Sequence, residues 1–127
     1  MEIKLYDRNN ESITLQQWSQ LCGDQKYVTV AESQIGKGGG AVITTWVGYH
    51  PLAERGGSVP DIFETRAYAL DGGNLVSSPG LEQFTRHAGT ETEAQANHKD
   101  TMGRINEALK NVTLEEMAAV ARVGGGG

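Results

Sequence analysis

Alternating apolar and polar positions predict a central antiparallel sheet. Residues 27–35 are rich in Val and Thr and alternate with the period of a β-strand. A second alternating run, residues 41–49, follows the glycine-rich segment 36–40, so the two runs are predicted to pair as a hairpin. In the second run, one predicted face carries Val42, Thr44 and Trp46.

Further strands are predicted on both sides of this hairpin. Residues 61–70 form the third strand of the prediction, and residues 75–76 return briefly as a fourth after the turn 71–74. Weak alternation over residues 2–8 predicts a short edge strand at the N-terminus. The segments 50–60 and 77–89 have no clear period and are predicted to be loops.

The first predicted helix is marked by its ends. Thr14 and Gln17 have the spacing of a capping box, in which each side chain bonds the backbone N–H group of the other residue. Gly23 stands where a helix commonly ends. Cys22 falls among the apolar positions of this helix, so we expect a small buried hydrophobe rather than a reactive thiol. A single cysteine also excludes an internal disulfide.

Two further helices are predicted near the C-terminus. Thr90 and Glu93 form a second capping box before a long helix, and Thr113 with Glu116 opens a third, short one. The apolar stripe of the long helix has helical spacing and comprises Ala94, His98, Met102, Ile105 and Leu109.

The order of these elements predicts the fold class. There is no alternation of strand and helix, which disfavours a parallel doubly wound sheet. We expect an α+β fold with a three- to four-stranded antiparallel sheet, one N-terminal helix and two C-terminal helices. The 127 residues suit a single domain, predicted over residues 1–123, with the glycines 124–127 as a flexible tail.

Charge and hydropathy narrow the set of partners. The formal net charge is −5, and the Lys and Arg residues are scattered along the sequence. Polymeric nucleic acid is therefore not expected as a partner, because non-specific binding needs a basic face. A small anionic ligand needs only a few convergent basic groups. No segment approaches the ~20 apolar residues that cross a bilayer, and the charged N-terminus is unlike a signal peptide, so we expect a cytoplasmic protein without membrane contact.

No motif predicts a catalytic residue, a metal site or a cofactor. The sequence contains no HExxH, no Cys/His ligand set and no G-x-S-x-G elbow. The segment Gly36-Lys37-Gly38-Gly39-Gly40 is similar to a phosphate-binding loop, but a strand follows it and no Ser or Thr follows Lys37. These features favour a mobile hairpin turn, although glycine N–H groups also suit a ligand phosphate.

Several polar residues stand at places where a site is expected. His50 opens the loop that follows the second strand, and loops at strand ends often carry binding residues. His98 lies on the apolar stripe, where a hydrogen-bonded core histidine is the more common role. Glu64, Arg66 and Tyr68 share one face of the third strand. That face is either an ordinary solvated Glu–Arg pair or a surface that holds the polar edge of a base or ribose.

The sequence contains four short motifs of a recognisable pattern: Ile13-Thr14-Leu15 with Trp18, then Thr45-Trp46-Val47-Gly48, then residues 60–65 (PDIFET), then Thr90, Glu91, Glu93, Ala94 and His98. In these motifs the chain resembles a family of small uncharacterised phage and prophage proteins. The resemblance covers about residues 1–105 and departs at Val47, at residues 66–68 and in the segment after residue 105. It implies a phage accessory protein acting inside a bacterial cell, and it implies no activity.

Together these features lead to a first functional hypothesis. The protein is expected to be a non-enzymatic, homo-oligomeric anti-defence protein that sequesters a small host molecule, such as a nucleotide immune signal. The aromatic residues would stack on a base, the cations would contact phosphate, and the remaining residues would bind polar edges. These predicted ligand-binding residues are Trp46, Tyr49, Arg66, Lys37, Glu64, His50 and His98.

Two other classes of function stay open. The first is an acidic inhibitor that binds a host enzyme. The second is a small nucleotide phosphodiesterase with His50 or His98 as its general acid–base, because histidine titrates near neutral pH.

Overall fold

The computed structural model describes residues 4–49, 61–114 and 116. Helices and antiparallel strands occur in similar amounts, which confirms the predicted α+β class. In chain order the elements are β1 (Leu5–Tyr6), β2 (Ser12–Ile13), α1 (Leu15–Cys22), α2 (Gln25–Val28), β3 (Thr29–Ile35), β4 (Gly40–Trp46), β5 (Phe63–Asp71), β6 (Asn74–Val76), α3 (Pro79–Glu82), β7 (Arg86–Ala88) and α4 (Glu91–Ala108).

The main sheet has five antiparallel strands, one more than the largest sheet predicted. Its order is β3-β4-β5-β6, and β7 pairs with β5 as well. A one-turn 3-10 helix, Gly36–Gly38, connects β3 to β4, and a tight turn with Gly72 and Gly73 at positive φ connects β5 to β6. Both hairpins were predicted. Strands β1 and β2 form a separate two-stranded sheet.

The hydrophobic core lies between α4 and one face of the main sheet, which we call the inner face. As predicted, this face carries Val42, Thr44 and Trp46 of β4, all of them buried. The helix contributes buried Ala94, His98 and Ile105 from its predicted stripe. Met102 and Leu109, also predicted, are partly buried against the same core. The opposite face of the sheet is called the outer face below.

The core is divided into two hydrophobic clusters. The first cluster has its buried members near the start of β4, namely Ile35, Val42, Ala67, Leu81 and Ile105. The second has its buried members near the end of β4, namely Trp46, Ile62, Phe63, Ala88 and Ala94. Along β4, Thr44 falls between Val42 of the first cluster and Trp46 of the second. A polar layer therefore separates the two clusters.

Helix α1 has the predicted cap but not the predicted burial. The Gln17 backbone N–H donates to Thr14 Oγ1 over 3.1 Å, and the Thr14 N–H donates to Gln17 Oε1 over 2.9 Å, which confirms the capping box. None of the residues in α1 is buried. The expectation that Cys22 is a buried hydrophobe is therefore wrong, because Cys22 is exposed on a helix that covers the core only partly.

The strand predicted over residues 27–35 begins later than expected. Tyr27 and Val28 belong to the short helix α2, whose N-cap residue is Asp24. Asp24 Oδ1 accepts from the backbone N–H of Lys26 over 3.1 Å. This local cap overrides the strand propensity of the Tyr-Val pair, so β3 begins only at Thr29.

The predicted loop 77–89 contains two short elements. Helix α3 and strand β7 both lie in it, and the strand pairs Phe63, Glu64 and Thr65 with Ala88, His87 and Arg86. Elements of three or four residues carry too few positions for a period to show, so only tertiary pairing defines them. The loop 50–60 and the glycine tail 124–127 lie outside the described residues.

The start of the third predicted helix is present. The Glu116 N–H donates to Thr113 Oγ1 over 3.1 Å and the Thr113 N–H donates to Glu116 Oε1 over 3.0 Å, as expected of a capping box.

Among the helices that the structure describes, none has the length and apolar character needed to cross a membrane.

Gly48 follows the end of β4 at a point where two tryptophans leave no space for a side chain. Its φ is +78°, and an added Cβ would lie 2.5 Å from Trp18 Nε1 and 2.6 Å from Trp46 Cζ2. Gly73 also has a positive φ, +86°, but an added Cβ there meets nothing within 4 Å. Alanine substitutions at the two glycines therefore distinguish two costs. Backbone strain arises at both positions, and steric overlap arises at Gly48 but not at Gly73.

We predict that Gly48→Ala destabilises the protein by roughly 3 kcal/mol or more, because backbone strain and overpacking add. The matched control Gly73→Ala carries the strain alone and should cost about 1–2 kcal/mol. Urea denaturation of both variants measures the difference. Equal losses in the two variants would contradict the tight packing around Gly48.

Candidate functional site

A hydrogen-bonded relay on the inner face connects α4 to three strands. His98 Nε2 lies 2.9 Å from Ser33 Oγ of β3, and His98 Nδ1 lies 2.9 Å from Thr44 Oγ1 of β4. Thr44 Oγ1 in turn lies 2.7 Å from Thr65 Oγ1 of β5. Each hydroxyl can both donate and accept, so either neutral tautomer of the ring is satisfied.

Burial keeps the His98 ring in its neutral form. The residue is 6% exposed, and desolvation lowers the pKa of the imidazole below its ordinary value of 6.5. As the pH falls through 6.5, the unfolded chain takes up a proton that the folded chain resists. The contribution of His98 to the free energy of unfolding is therefore fully present above pH 6.5 and is lost as the pH falls from there through the lower pKa of the folded state. These contacts give His98 the core role that its place on the stripe suggested.

A second polar cluster, which we call the outer cluster, consists of Glu64, Arg66 and His87. Arg66 Nε donates to Glu64 Oε1 over 2.5 Å, and Arg66 Nη2 donates to Glu64 Oε2 over 3.3 Å. His87 Nε2 lies 3.3 Å from the same Oε2 atom. Glu64 and Arg66 are two residues apart on β5 and share the outer face, and His87 is directly opposite Glu64 on β7.

The outer cluster is a partly desolvated set of donors and acceptors. The Glu64 side chain is 17% exposed, which is low for a carboxylate on a sheet surface. The hydrogen bond to Glu64 raises the pKa of the Arg66 guanidinium, and burial raises the pKa of the nearby Tyr68 phenol. Arg66 therefore stays charged and Tyr68 neutral at physiological pH. The cluster offers a guanidinium, a carboxylate and an imidazole to a polar ligand.

The structure separates Trp46 and His98 from Glu64 and Arg66. Trp46 is 1% exposed, its Nε1 donates to the Tyr6 carbonyl over 2.9 Å, and its ring packs edge-on against Tyr27. No face of this ring is open to a base, so the expected stacking role is not retained. His98 is likewise enclosed by the relay. Both side chains lie on the inner face, with the sheet between them and the outer cluster.

The remaining predicted residues lie elsewhere. Tyr49 is exposed beyond the end of β4, where its ring packs edge-on against Trp18 with 6.4 Å between ring centroids. The Lys37 backbone belongs to the 3-10 turn, and its side chain lies outside the described residues, as does all of His50. Among the predicted ligand-binding residues whose side chains the structure describes, Glu64 and Arg66 are the pair that lie in direct contact.

Gly36, in the 3-10 turn, and Gly40, at the start of β4, have a packing role. An added Cβ at Gly36 would lie 3.0 Å from Leu114 Cδ2, and one at Gly40 would overlap the Tyr68 carbonyl oxygen. The close approach of Leu114 and β5 thus explains why glycine occupies these positions without any bound phosphate.

His87 was not among the predicted site residues. It lies in the three-residue strand β7, inside a segment predicted to be a loop, and reaches Glu64 only through the pairing of β7 with β5. No local pattern in the sequence indicates this pairing, because the partners are more than twenty residues apart.

Comparison with known proteins leaves the resemblance to phage proteins as an expectation. No protein-family model, curated protein or solved structure matches this chain.

Within residues 4–49, 61–114 and 116, no group of three or more His, Cys, Asp or Glu side chains is arranged to hold a metal ion.

We predict that Thr44→Val destabilises the protein by about 1–3 kcal/mol, because it leaves His98 and Thr65 without their shared partner in the core. Thr45→Val is the matched control, since this neighbouring side chain is half-buried on the outer face and stands outside the relay. Thermal or urea unfolding compares the two. A loss at position 45 as large as that at position 44 would argue against a stabilising relay.

Proposed function

We propose that this protein is a non-catalytic binding protein for a small anionic molecule, with the outer cluster as its recognition surface. The observation that supports this proposal is that Glu64, Arg66 and His87 form a half-buried cluster, held by direct contacts at 2.5–3.3 Å. Desolvated charges on a sheet face are costly unless they are paired, and pairing here fixes the directions of donors and acceptors in advance.

The ligand class that best fits this surface is a nucleotide. A carboxylate accepts from the N–H groups of a base or the hydroxyls of a ribose, and a guanidinium binds phosphate. Tyr68 lies two residues from Arg66 on the same face and provides an aromatic ring beside the charges. The resemblance to phage proteins suggests the cellular setting, which is the bacterial cytoplasm. There the protein would act as a homo-oligomer that sequesters a host nucleotide signal.

The phosphodiesterase alternative is weakened for His98, one of its two candidate residues, whereas His50, the other, lies outside the described residues. A general acid–base must reach the substrate, and the His98 ring is enclosed between hydroxyls of the core. The binding proposal needs no such group.

A specific observation favours a second candidate, the inhibitor of a host enzyme. The β5–β6 hairpin presents three exposed aliphatic side chains, Leu70, Leu75 and Val76. Leu70 and Leu75 are directly paired across the hairpin, so they form one apolar spot at the edge of an acidic protein. Exposed apolar groups of this kind suit a protein contact.

Native mass spectrometry of the protein purified from bacteria tests the binding proposal. We expect a nucleotide-sized adduct on an oligomer, and we expect Arg66→Gln to lose it. Lys110→Gln removes one positive charge from an exposed pair on the C-terminal segment and should keep the adduct.

The contrary result is a bare protein that gains no mass when incubated with a mixture of linear and cyclic nucleotides. A bare protein that instead forms a complex with one host protein, lost on Leu75→Asp, would favour the inhibitor. Circular dichroism of each variant establishes that the fold is retained.

A further inference from the structure

A cleft of about 240 Å³ lies between α4 and the segment that carries α3 and β7. It is lined by Gln83, Phe84, Arg86, Thr101 and Arg104. The cleft is separate from the outer cluster. Arg86 is opposite Thr65 and His87 is opposite Glu64, so neighbouring residues of β7 point to opposite faces of the sheet.

The cleft carries more positive than negative charge. Arg86 Nη1 contacts Asp100 Oδ2 at 2.5 Å, and Arg104 Nε contacts the same oxygen at 2.8 Å. One carboxylate is therefore shared by two guanidinium groups, which leaves donors of both free to turn toward a ligand. Arginine is the side chain best suited to oxyanions, because its planar fork matches their oxygen atoms.

A buried hydroxyl without a partner lies among the lining residues. Thr101 is 1% exposed, and its Oγ1 has no hydrogen-bond partner among the residues that the structure describes. A threonine within a helix commonly bonds the carbonyl four residues earlier, which this hydroxyl does not do. A buried polar atom left unbonded is unfavourable, so Thr101 is an unsatisfied donor at the floor of the cleft.

We propose that this cleft binds a small oxyanion, with Arg86 and Arg104 at its rim and the Thr101 hydroxyl at its floor. The volume is below the roughly 300–1,000 Å³ of pockets that enclose a whole drug-sized ligand, so it suits a single phosphate, sulfate or carboxylate group. Since Oγ1 is covered in the free protein, the side chains around it rearrange when the anion enters. The site does not depend on the proposed function of the outer cluster.

Titration with inorganic phosphate, followed by ¹⁵N NMR of the full chain, tests this site. We expect saturable shifts of the amides of residues 84–86 and 100–104. Arg86→Gln and Arg104→Gln should each weaken binding by about tenfold, the effect of losing one charged hydrogen bond. Lys99→Gln is the control, because it removes the same charge from an exposed position of α4 that does not line the cleft.

Thr101→Val distinguishes a ligand contact from a structural role. The hydroxyl has no hydrogen-bond partner among residues 4–49, 61–114 and 116 to lose, so this variant should be at least as stable as the natural chain and should bind phosphate several-fold more weakly. Parallel titrations with sulfate and acetate identify whether tetrahedral or carboxylate groups are preferred. The proposal is overturned if no anion gives saturable shifts, if the arginine variants bind like Lys99→Gln, or if Thr101→Val binds unchanged.

Discussion

The polar layer in the core is the constraint on which the rest of this structure depends. His98 of α4 bonds hydroxyls on β3 and β4, and the hydroxyl on β4 bonds the next one on β5. His98, Thr44 and Thr65 are buried, so each must find its partner or be left unsatisfied at a cost of about 1–3 kcal/mol. A slip of the helix or of one strand by a single residue would break the relay. The hydrophobic clusters on either side are less sensitive to small displacements, because apolar contacts are not directional.

Fixing the register on the inner face also determines the outer face. Because side chains alternate along a strand, seating Thr65 in the relay turns Glu64 and Arg66 outward and brings His87 of β7 against Glu64. The same alternation separates the residues that sequence reasoning had grouped into one site. Trp46 and His98 serve the core, and the outer cluster is left as the polar surface for which a binding role is proposed.

Features governed by local chemistry were predictable from the sequence. The capping boxes at Thr14 and Thr113, the glycine turn after β5 and the shared face of Val42, Thr44 and Trp46 follow from residue spacing alone, whereas at Thr90 only the threonine half of the predicted box forms. Features created by long-range pairing were not. Strand β7 is too short to show a period, and an aspartate cap converted the start of a predicted strand into α2. Within the candidate site, Glu64 and Arg66 were predictable as neighbours on one strand, whereas His87 depends on tertiary pairing.

The relay around His98 closes the centre of the inner face, and the surfaces proposed to bind ligands are the outer cluster and the cleft beside α4. The most direct measurement is NMR of the His98 ring carbons as the pH is lowered from 8 to 5. The structure predicts that His98 stays neutral as the pH falls below 6.5, with one ring nitrogen donating a hydrogen bond and the other accepting one. A ring that titrates at or above 6.5 would show that solvent reaches the relay. The centre of the inner face would then be open to solvent, and the structural role of His98 in a closed core would be contradicted.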